Sequence, residues 1–563
     1  MPFPLNDHFL LVDSVLSVEI KFPISFLSVT AVVHDFLNLV ILASEDWRTT
    51  WGRKTNNFSW RQSMTRVIRF ASRVNLAAAI HVAIFTVLCL VSCYTAFAEN
   101  GFDAPRDETP NFILVLADDL GWSDLRCYGN EFHETPHIDG LAAGGMSFTE
   151  AYAAAPVCSP TRASLLTGRY PATLNMTDWL PGFQRPWAKA SMPRIQEGLA
   201  PGEFTIAEAL QSRGYVSASI GKWHLGKVPF YPVKHGFDVD FAGHHSGRPG
   251  SYFFPYGIPT ISERSTREYL TDRLADEAIG FIEQNSNKPF FLYWSHFAVH
   301  RPVEAPAAIV EKYELKATKQ SARRNPIYAA MLESLDQAVG RVLKRLEELK
   351  LADSTVVIFY SDNGGFSPAT SNAPLKDGKG SPYEGGLRVP LIVRWPGVIA
   401  PGTVSTAPIT TPDLFPTITQ MAGVAIDRPL DGESLLPLLK GTGDLNRDAI
   451  FWHYPHYYPN AAKLKHVEEA FSNPWRRGWR MPFSAVRQGR YKLIEFLVDG
   501  SVELYDLEKD VSESTDLAAS MPGKATQLQR RLEQWRGRVG AKMPSPNPDA
   551  DPERADRWTV TGN

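Results

Sequence analysis

The sequence predicts an α/β protein: a large mixed, mostly parallel sheet sandwiched by helices, with a small C-terminal α+β domain. Three observations carry that prediction. Between about residues 108 and 445, apolar runs of strand length alternate with helix-length stretches, the pattern of a sheet buried on both faces. Polar motifs stand directly after those runs, where open α/β sheets bind their ligands. From about residue 446 the texture turns aromatic-rich, with a hairpin signal further on. With 44% apolar and 21% charged residues, the chain has the composition of a globular protein with a full core. A formal charge of −3 gives no electrostatic case for a nucleic-acid partner. Of four cysteines, Cys89 and Cys93 fall inside an apolar run. Only Cys127 and Cys158 remain for the folded part, so no disulfide framework is visible.

Residues 64–98 read as a signal peptide. Met64 is followed by Arg66, Arg69 and Arg73, then an apolar stretch over 76–93, then Ala96-Phe97-Ala98 before Glu99. That is the order of basic region, apolar region and small-residue cleavage site. The competing reading is a membrane-spanning helix, for which the run is marginal in length. Leu90-Val91-Ser92-Cys93 is similar to a lipoprotein box, so contact with a membrane is expected only if Cys93 is lipidated. Residues 1–63 are expected to be a non-mature extension, with Met64 as the start and the product exported to the periplasm or the extracellular space.

The folded part opens with an unbroken apolar run over 111–117, a buried parallel strand, ending in Asp118-Asp119. Adjacent carboxylates repel, and a divalent cation between them removes that cost; the alternative is an exposed turn. Next comes Cys158-Ser159-Pro160-Thr161-Arg162. Pro160 fits the first turn of a helix, which puts Cys158 at a helix N-terminus that favours anions. Arg162, four residues on, can point back over the same spot. The competing reading of Cys158 is a buried thiol packed as a small hydrophobe.

Residues 205–212 read as a helix and 215–220 as a strand running into Gly221-Lys222-Trp223-His224. In an extended segment Lys222 and His224 share one side; the alternative is a solvated lysine and a packing histidine. The glycine-, histidine- and aromatic-rich stretch 243–257 reads as a long loop of the kind that carries substrate contacts. His244, His245 and Arg248 are candidates there for substrate contact, and Asp178 is another. Residues 266–284 form an amphipathic helix, and 289–297 a buried strand with His296 within it and His300 beyond it. A helix over 326–349 precedes a strand over 354–361, which ends in Asp362-Asn363-Gly364-Gly365, a sequence that also suits a simple turn. A lysine loop over 376–386, a strand over 389–395 and a helix over 410–421 follow. Residues 446–542 form the C-terminal subdomain. Stretch 452–482 there has no clear period, strands over 484–496 and 502–507 flank Asp499-Gly500, and a helix over 524–539 closes it. The Pro/Asp-rich tail, 543–563, is expected to be flexible.

Several of these stretches resemble one family. Cys158-Ser159-Pro160-Thr161-Arg162, continued by Leu165-Leu166-Thr167-Gly168-Arg169, resembles the extended C-x-P-x-R signature of type I sulfatases. These are the formylglycine-dependent, arylsulfatase-like enzymes of the alkaline phosphatase superfamily. N-F-I-L-V-L-A-D-D-L-G, T-P-H-I-D-G-L-A, G-K-W-H-L-G, S-D-N-G-G and G-K-G-x-x-Y-E-G-G resemble further motifs of that family.

The resemblance implies an alkaline-phosphatase-like fold and hydrolysis of sulfate esters, on a sulfated carbohydrate or an aryl sulfate. It implies oxidation of Cys158 to formylglycine by a formylglycine-generating enzyme, and one Ca²⁺ or Mg²⁺ held by Asp118, Asp119, Asp362, Asn363 and the residue at Cys158. Arg162, Lys222 and Lys379 would offset sulfuryl charge, His224 would serve as base, and His300 with Lys379 would assist the leaving group. His296, Lys376 and His137 are left outside the chemistry, with Lys376 solvated. The residue type makes sense: a serine would end as a stable sulfate ester, whereas a hydrated aldehyde has a second hydroxyl with which to expel sulfate. The competing functions are a phosphoester or phosphonate ester hydrolase of the same superfamily, an inactive receptor for sulfated glycans, and a structural surface protein.

Overall fold

The computed structural model describes residues 109–560, apart from 263, 266, 318–323 and 460–478. Residues 1–63 and 64–98, read as a non-mature extension and a signal peptide, lie outside the described residues.

Nine strands make the main sheet: β1 (Asn111–Ala117), β2 (Met146–Tyr152), β3 (Val216–Gly221), β4 (Val239–Phe241), β5 (Phe290–Ser295), β6 (Thr355–Ser361), β7 (Arg388–Arg394), β8 (Thr403–Ser405) and β9 (Ile409–Thr410). Their order is β8-β2-β7-β6-β1-β5-β3-β4, with β9 also paired to β2. Only β7 runs against its neighbours; the other pairings are parallel. The mixed, mostly parallel sheet is the architecture the alternating apolar runs predict.

Strand β1 lies at the centre and is buried along its whole length. Successive residues point to opposite faces. Ile113 and Val115 enter one core with Leu332 and Leu335, carried by the helix Pro326–Glu348. Phe112, Leu114 and Leu116 enter the other with Leu165, Leu166 and Ile418. Those three belong to the helices Cys158–Thr167 and Leu414–Met421. Among the described residues no helix is long and apolar enough to cross a membrane.

A second, antiparallel sheet follows, with strands β10 (Ala449–Tyr454), β11 (Phe483–Gln488), β12 (Tyr491–Phe496) and β13 (Val502–Asp506) in that order, and the helix Pro522–Val539 packs on it. Here the structure departs from expectation. The stretch 484–496 is two strands, because Gly489 at φ 57° turns the chain and pairs Gln488 with Tyr491. Strand β10 lies partly in the stretch without a visible period. The described part of the tail, 543–560, is also anchored rather than free. Ser545–Pro546 pairs with Ala190–Ser191 and Thr559–Val560 with Phe183–Gln184. Backbone pairing and a buried arginine, rather than apolar content, fix it: Arg185 donates from Nε and Nη2 to the carbonyl of Ala555, a residue with no exposed surface.

Candidate active site

The centre of the sheet delivers the polar residues. Strands β6, β1, β5 and β3 lie side by side and parallel, so their C-terminal ends share one edge. Asp362 and Asn363 follow β6, Asp118 and Asp119 follow β1, His300 lies five residues past β5, and Lys222 follows β3. The fully buried helix Cys158–Thr167 points its first residue at the same place.

Asp118, Asp119, Cys158 and His300 each offer an atom within 4.8 Å of the others'. Cys158 Sγ lies 3.7 Å from Asp118 Oδ1 and 3.4 Å from Lys379 Nζ. Lys222 Nζ donates to Asp118 Oδ2 at 2.6 Å, and Lys379 Nζ to Asp119 Oδ1 at 2.5 Å. Arg162 grips Asp362 Oδ2 through Nε (2.9 Å) and Nη2 (2.7 Å), and donates through Nη1 to Ser295 Oγ at 2.5 Å. Three carboxylates and three cations thus interlock with almost no exposure to water.

Burial, and then the neighbouring negative charge of Asp362, push Asp118 up to about 7 despite Lys222. Burial also opposes charge on Asp119, but Lys379, then His300 and Lys222, outweigh it and hold that carboxyl below the usual range. The Cys158 thiol is pushed up to about 12 by burial, against the pull of Lys222 and Lys379. An unmodified thiol there is therefore protonated at neutral pH and a poor nucleophile.

The donor set fits a divalent cation. Asp118, Asp119 and Asp362 supply carboxylate oxygens. Asn363 uses Nδ2 on Asp119 Oδ1 at 2.8 Å, while its Oδ1 is buried without a partner. Hard oxygen donors of this kind suit Ca²⁺ or Mg²⁺.

The histidines separate clearly. His300 Nε2 faces Asp119 Oδ2 at 3.6 Å, and Nδ1 lies 2.8 Å from its neighbour's carbonyl, that of Arg301. His296 is fully buried with both ring nitrogens unpartnered, and burial lowers it to about 3. His224 is reached differently from expectation. It sits at φ 56°, so the chain leaves β3 in a left-handed turn and does not continue extended. Its Nε2 lies 2.5 Å from the carbonyl of Leu180, and Nδ1 is buried without a partner.

The candidates for substrate recognition lie apart from the carboxylate cluster. His244 holds His224 through its backbone carbonyl at 3.2 Å. Its ring centroid lies 4.0 Å from that of His245 with the planes tilted by 45°, and Arg248 is exposed. Among the described contacts none of these three side chains reaches the carboxylate cluster. Asp178 is buried instead of lining a surface. It accepts from Tyr454 Oη at 2.7 Å and lies 3.8 Å from His456. Lys376 is half-buried over the Tyr383 ring, 3.9 Å from its centroid, and is not solvated. Sequence reasoning missed Ser295, which receives Arg162 and donates to the Lys222 carbonyl at 2.8 Å. It also missed Tyr458, whose ring lies against Gly380 beside Lys379.

Comparison with known proteins finds similarity over most of the described chain. The Sulfatase family pattern matches residues 110–424, and that of the N-sulphoglucosamine sulphohydrolase C-terminal region matches 378–538. A sulfatase of Formosa agariphila is 32% identical over 527 residues, covering 79% of this chain and 92% of its own. The N-acetylgalactosamine-6-sulfatase of Canis lupus familiaris is 38% identical over 382 residues, covering 62% of this chain and 69% of its own. The crystal structure of Ps i-CgsB in complex with k-i-k-neocarrahexaose is similar at a TM-score of 0.62 and 31% identity, covering 76% of this chain and 92% of that one.

Proposed function

Because the chain belongs to the sulfatase family and hydrolyses sulfate esters, we propose that its substrate is a sulfated carbohydrate and that Cys158, oxidised to formylglycine by a dedicated partner enzyme, is the source of the nucleophile. One observation carries the reading. A fully buried helix presents Cys158 to Asp118, Asp119, Lys379 and His300 at the edge of a parallel sheet. The carbohydrate assignment is supported by similarity to a protein solved with neocarrahexaose and to an N-acetylgalactosamine-6-sulfatase.

A formylglycine hydrate supplies two hydroxyls on one carbon, one to attack sulfur and one whose deprotonation releases sulfate. The remaining work falls to this chain's own side chains. Asp118, Asp119, Asp362 and Asn363 would hold the cation, which we assign as Ca²⁺, with Mg²⁺ as the other candidate. Lys222 and Lys379 are placed beside Cys158 to offset charge on the sulfuryl oxygens. Arg162 fixes Asp362 and Ser295 in place. His224, hydrogen-bonded through Nε2, keeps Nδ1 available to take a proton. His300 is placed to give one to the leaving oxygen.

The test is turnover of a panel made with a formylglycine-generating enzyme: N-acetylgalactosamine 6-sulfate, carrageenan oligosaccharides, steryl sulfate and 4-nitrophenyl sulfate. A carbohydrate should be hydrolysed with the highest kcat/KM, activity should vanish on chelation and return best with Ca²⁺, and mass spectrometry should find an aldehyde at residue 158. Turnover confined to the aryl or steryl ester, or full activity with an intact thiol, would overturn the reading. The stretch 64–98 supports export, with N-terminal sequencing of the mature protein as the check. A new terminus near Ala98-Glu99 or a lipid on Cys93 is expected, and a terminus within 1–63 would refute it.

A further inference from the structure

Phe183 is the hub of an aromatic cluster beside the site. Its ring centroid lies 4.8 Å from Trp179, 6.1 Å from Tyr458, 5.9 Å from Trp479 and 5.3 Å from Trp558, all edge to face. Two of these rings lead back to the reacting groups. Trp179 lies 6.4 Å from His224. Tyr458 sits so close to Gly380, the residue after Lys379, that a Cβ there would come within 2.1 Å of its ring. Trp558 leads the other way. It belongs to the C-terminal tail, and it is 49% exposed in a molecule whose largest aromatic side chains are mostly buried.

The tail that carries Trp558 is firmly seated. Thr559 pairs with Gln184 and Ser545 with Ser191. Arg185, between the rings of Tyr457 (4.5 Å) and Trp479 (4.6 Å), donates to the Ala555 carbonyl. Asn547 Nδ2 donates to the carbonyls of Pro186 and Ala188 at 2.8 and 2.7 Å. The chain thus holds a large apolar face in water at the outer end of a ring cluster whose inner end touches the catalytic histidine. Arg557, next to it, is exposed and makes no ion pair among the described residues.

We infer that the C-terminal tail builds a sugar-stacking rim, on which the residue next to the sulfated one in a sulfated oligosaccharide rests on Trp558, with Arg557 meeting its negative charge. The inference rests on the carbohydrate reading above. Its physical basis is placement: the exposed Trp558 face is joined through the packed rings of Phe183 and Trp179 to His224. A flat aromatic face also buries a large apolar area at small entropic cost. The unpaired guanidinium selects an anionic glycan over an uncharged one.

The experiment uses the carbohydrate that the panel identifies, prepared as a monosaccharide and as a hexasaccharide with the same sulfated end. In the wild type, kcat/KM should rise with length. In Trp558→Ala the ratio of hexasaccharide to monosaccharide kcat/KM should fall roughly tenfold, carried by KM, and Trp558→Phe should restore most of it. Should Trp558→Ala fail to fold, oxidative footprinting of the wild type decides. The peptide holding Trp558 should be protected by the hexasaccharide and not by the monosaccharide. A ratio unchanged in Trp558→Ala, or no protection by the hexasaccharide, overturns the rim while leaving the carbohydrate assignment standing. No turnover of any carbohydrate overturns both.

Discussion

His224 and His300 are told apart by what their second nitrogens touch. A carbonyl only accepts, so Leu180 fixes the hydrogen of His224 on Nε2 and leaves the lone pair on Nδ1, while burial and then Lys222 hold the ring well below the usual histidine range. The Arg301 carbonyl fixes a hydrogen on His300 Nδ1, so giving a proton to the leaving oxygen requires a second one on Nε2; burial opposes that charge and the facing Asp119 carboxylate favours it. A sugar alkoxide needs a proton as the S–O bond breaks, whereas a nitrophenolate does not. His300→Ala should therefore lose about 10²–10⁴-fold on a sugar sulfate and much less on 4-nitrophenyl sulfate. His224→Ala should lose similarly on both and show a burst of released alcohol in stopped flow. Equal leaving-group dependence for the two variants would require the roles to be reassigned. Asp178 carries a different signal. Burial holds its carboxyl at about 7, against about 3.9 in an unfolded chain. Between those values the native state binds the extra proton, so stability falls as pH rises from about 4 to 7. Asp178→Asn, whose carbonyl oxygen can still accept from Tyr454 and Trp179, should remove that slope. It should gain roughly 2–4 kcal/mol over the wild type at pH 8 and little at pH 4, measured by denaturant unfolding. The carboxylates and cations were legible because each follows an apolar run or sits in a distinctive motif. Tyr458 was not, because it lies where aromatic residues are so dense that no period shows. The burial of Asp178 was invisible because its partners Tyr454 and His456 lie 276 or more residues away.

At the scale of elements, strand ends do the positioning, and Gly221 shows how tightly. It has φ 109°, and a Cβ there would lie 1.9 Å from the Ser295 carbonyl oxygen. That same oxygen accepts the Lys222 N–H at 2.7 Å. Gly221→Ala should thus push β3 from β5 exactly where Lys222 is aimed. It should cost more than about 1 kcal/mol and depress kcat, read by thermal unfolding and turnover. A variant with wild-type melting and activity would show that the close approach does not matter. Strands β1, β5 and β6 were readable as unbroken apolar runs because both their faces are buried. Helix Ile206–Gln211 lies within the stretch 205–212 read as a helix, and the structure adds the capping box formed by Thr205 and Glu208. Strands β11 and β12 merged in the sequence because Gly489-Arg490 is a weak turn signal between two apolar stretches. The tail misled for the opposite reason. Its composition suits disorder, and its order comes from backbone partners on residues 183–191, which no local pattern announces.

On the scale of the whole molecule, the two sheets are joined by a buried ion network. Lys492 on β12 has no exposed surface and pairs with Glu384 at 2.9 Å and Glu513 at 3.0 Å. Glu384 also accepts from Tyr152 Oη at 2.7 Å and lies five residues after Lys379. Lys492→Met should strand two buried carboxylates and cost about 3–5 kcal/mol. Because Glu384 anchors the end of the lysine loop, kcat should fall too, and unfolding curves with steady-state kinetics would check both. The burial of Cys158 has a further consequence, which concerns time. Only 2% of the residue is exposed, and the groups that enclose it are made late: Lys379 follows it by 221 residues. At ribosomal speeds of about 5–20 residues per second, that is an interval of roughly 10–40 s. A catalyst that must touch Sγ has that window while the chain is still emerging, and afterwards the sheet closes over it. A preparation from a host short of that catalyst should remain a fixed mixture of competent and inert molecules, and adding the catalyst to the finished protein should not convert one into the other.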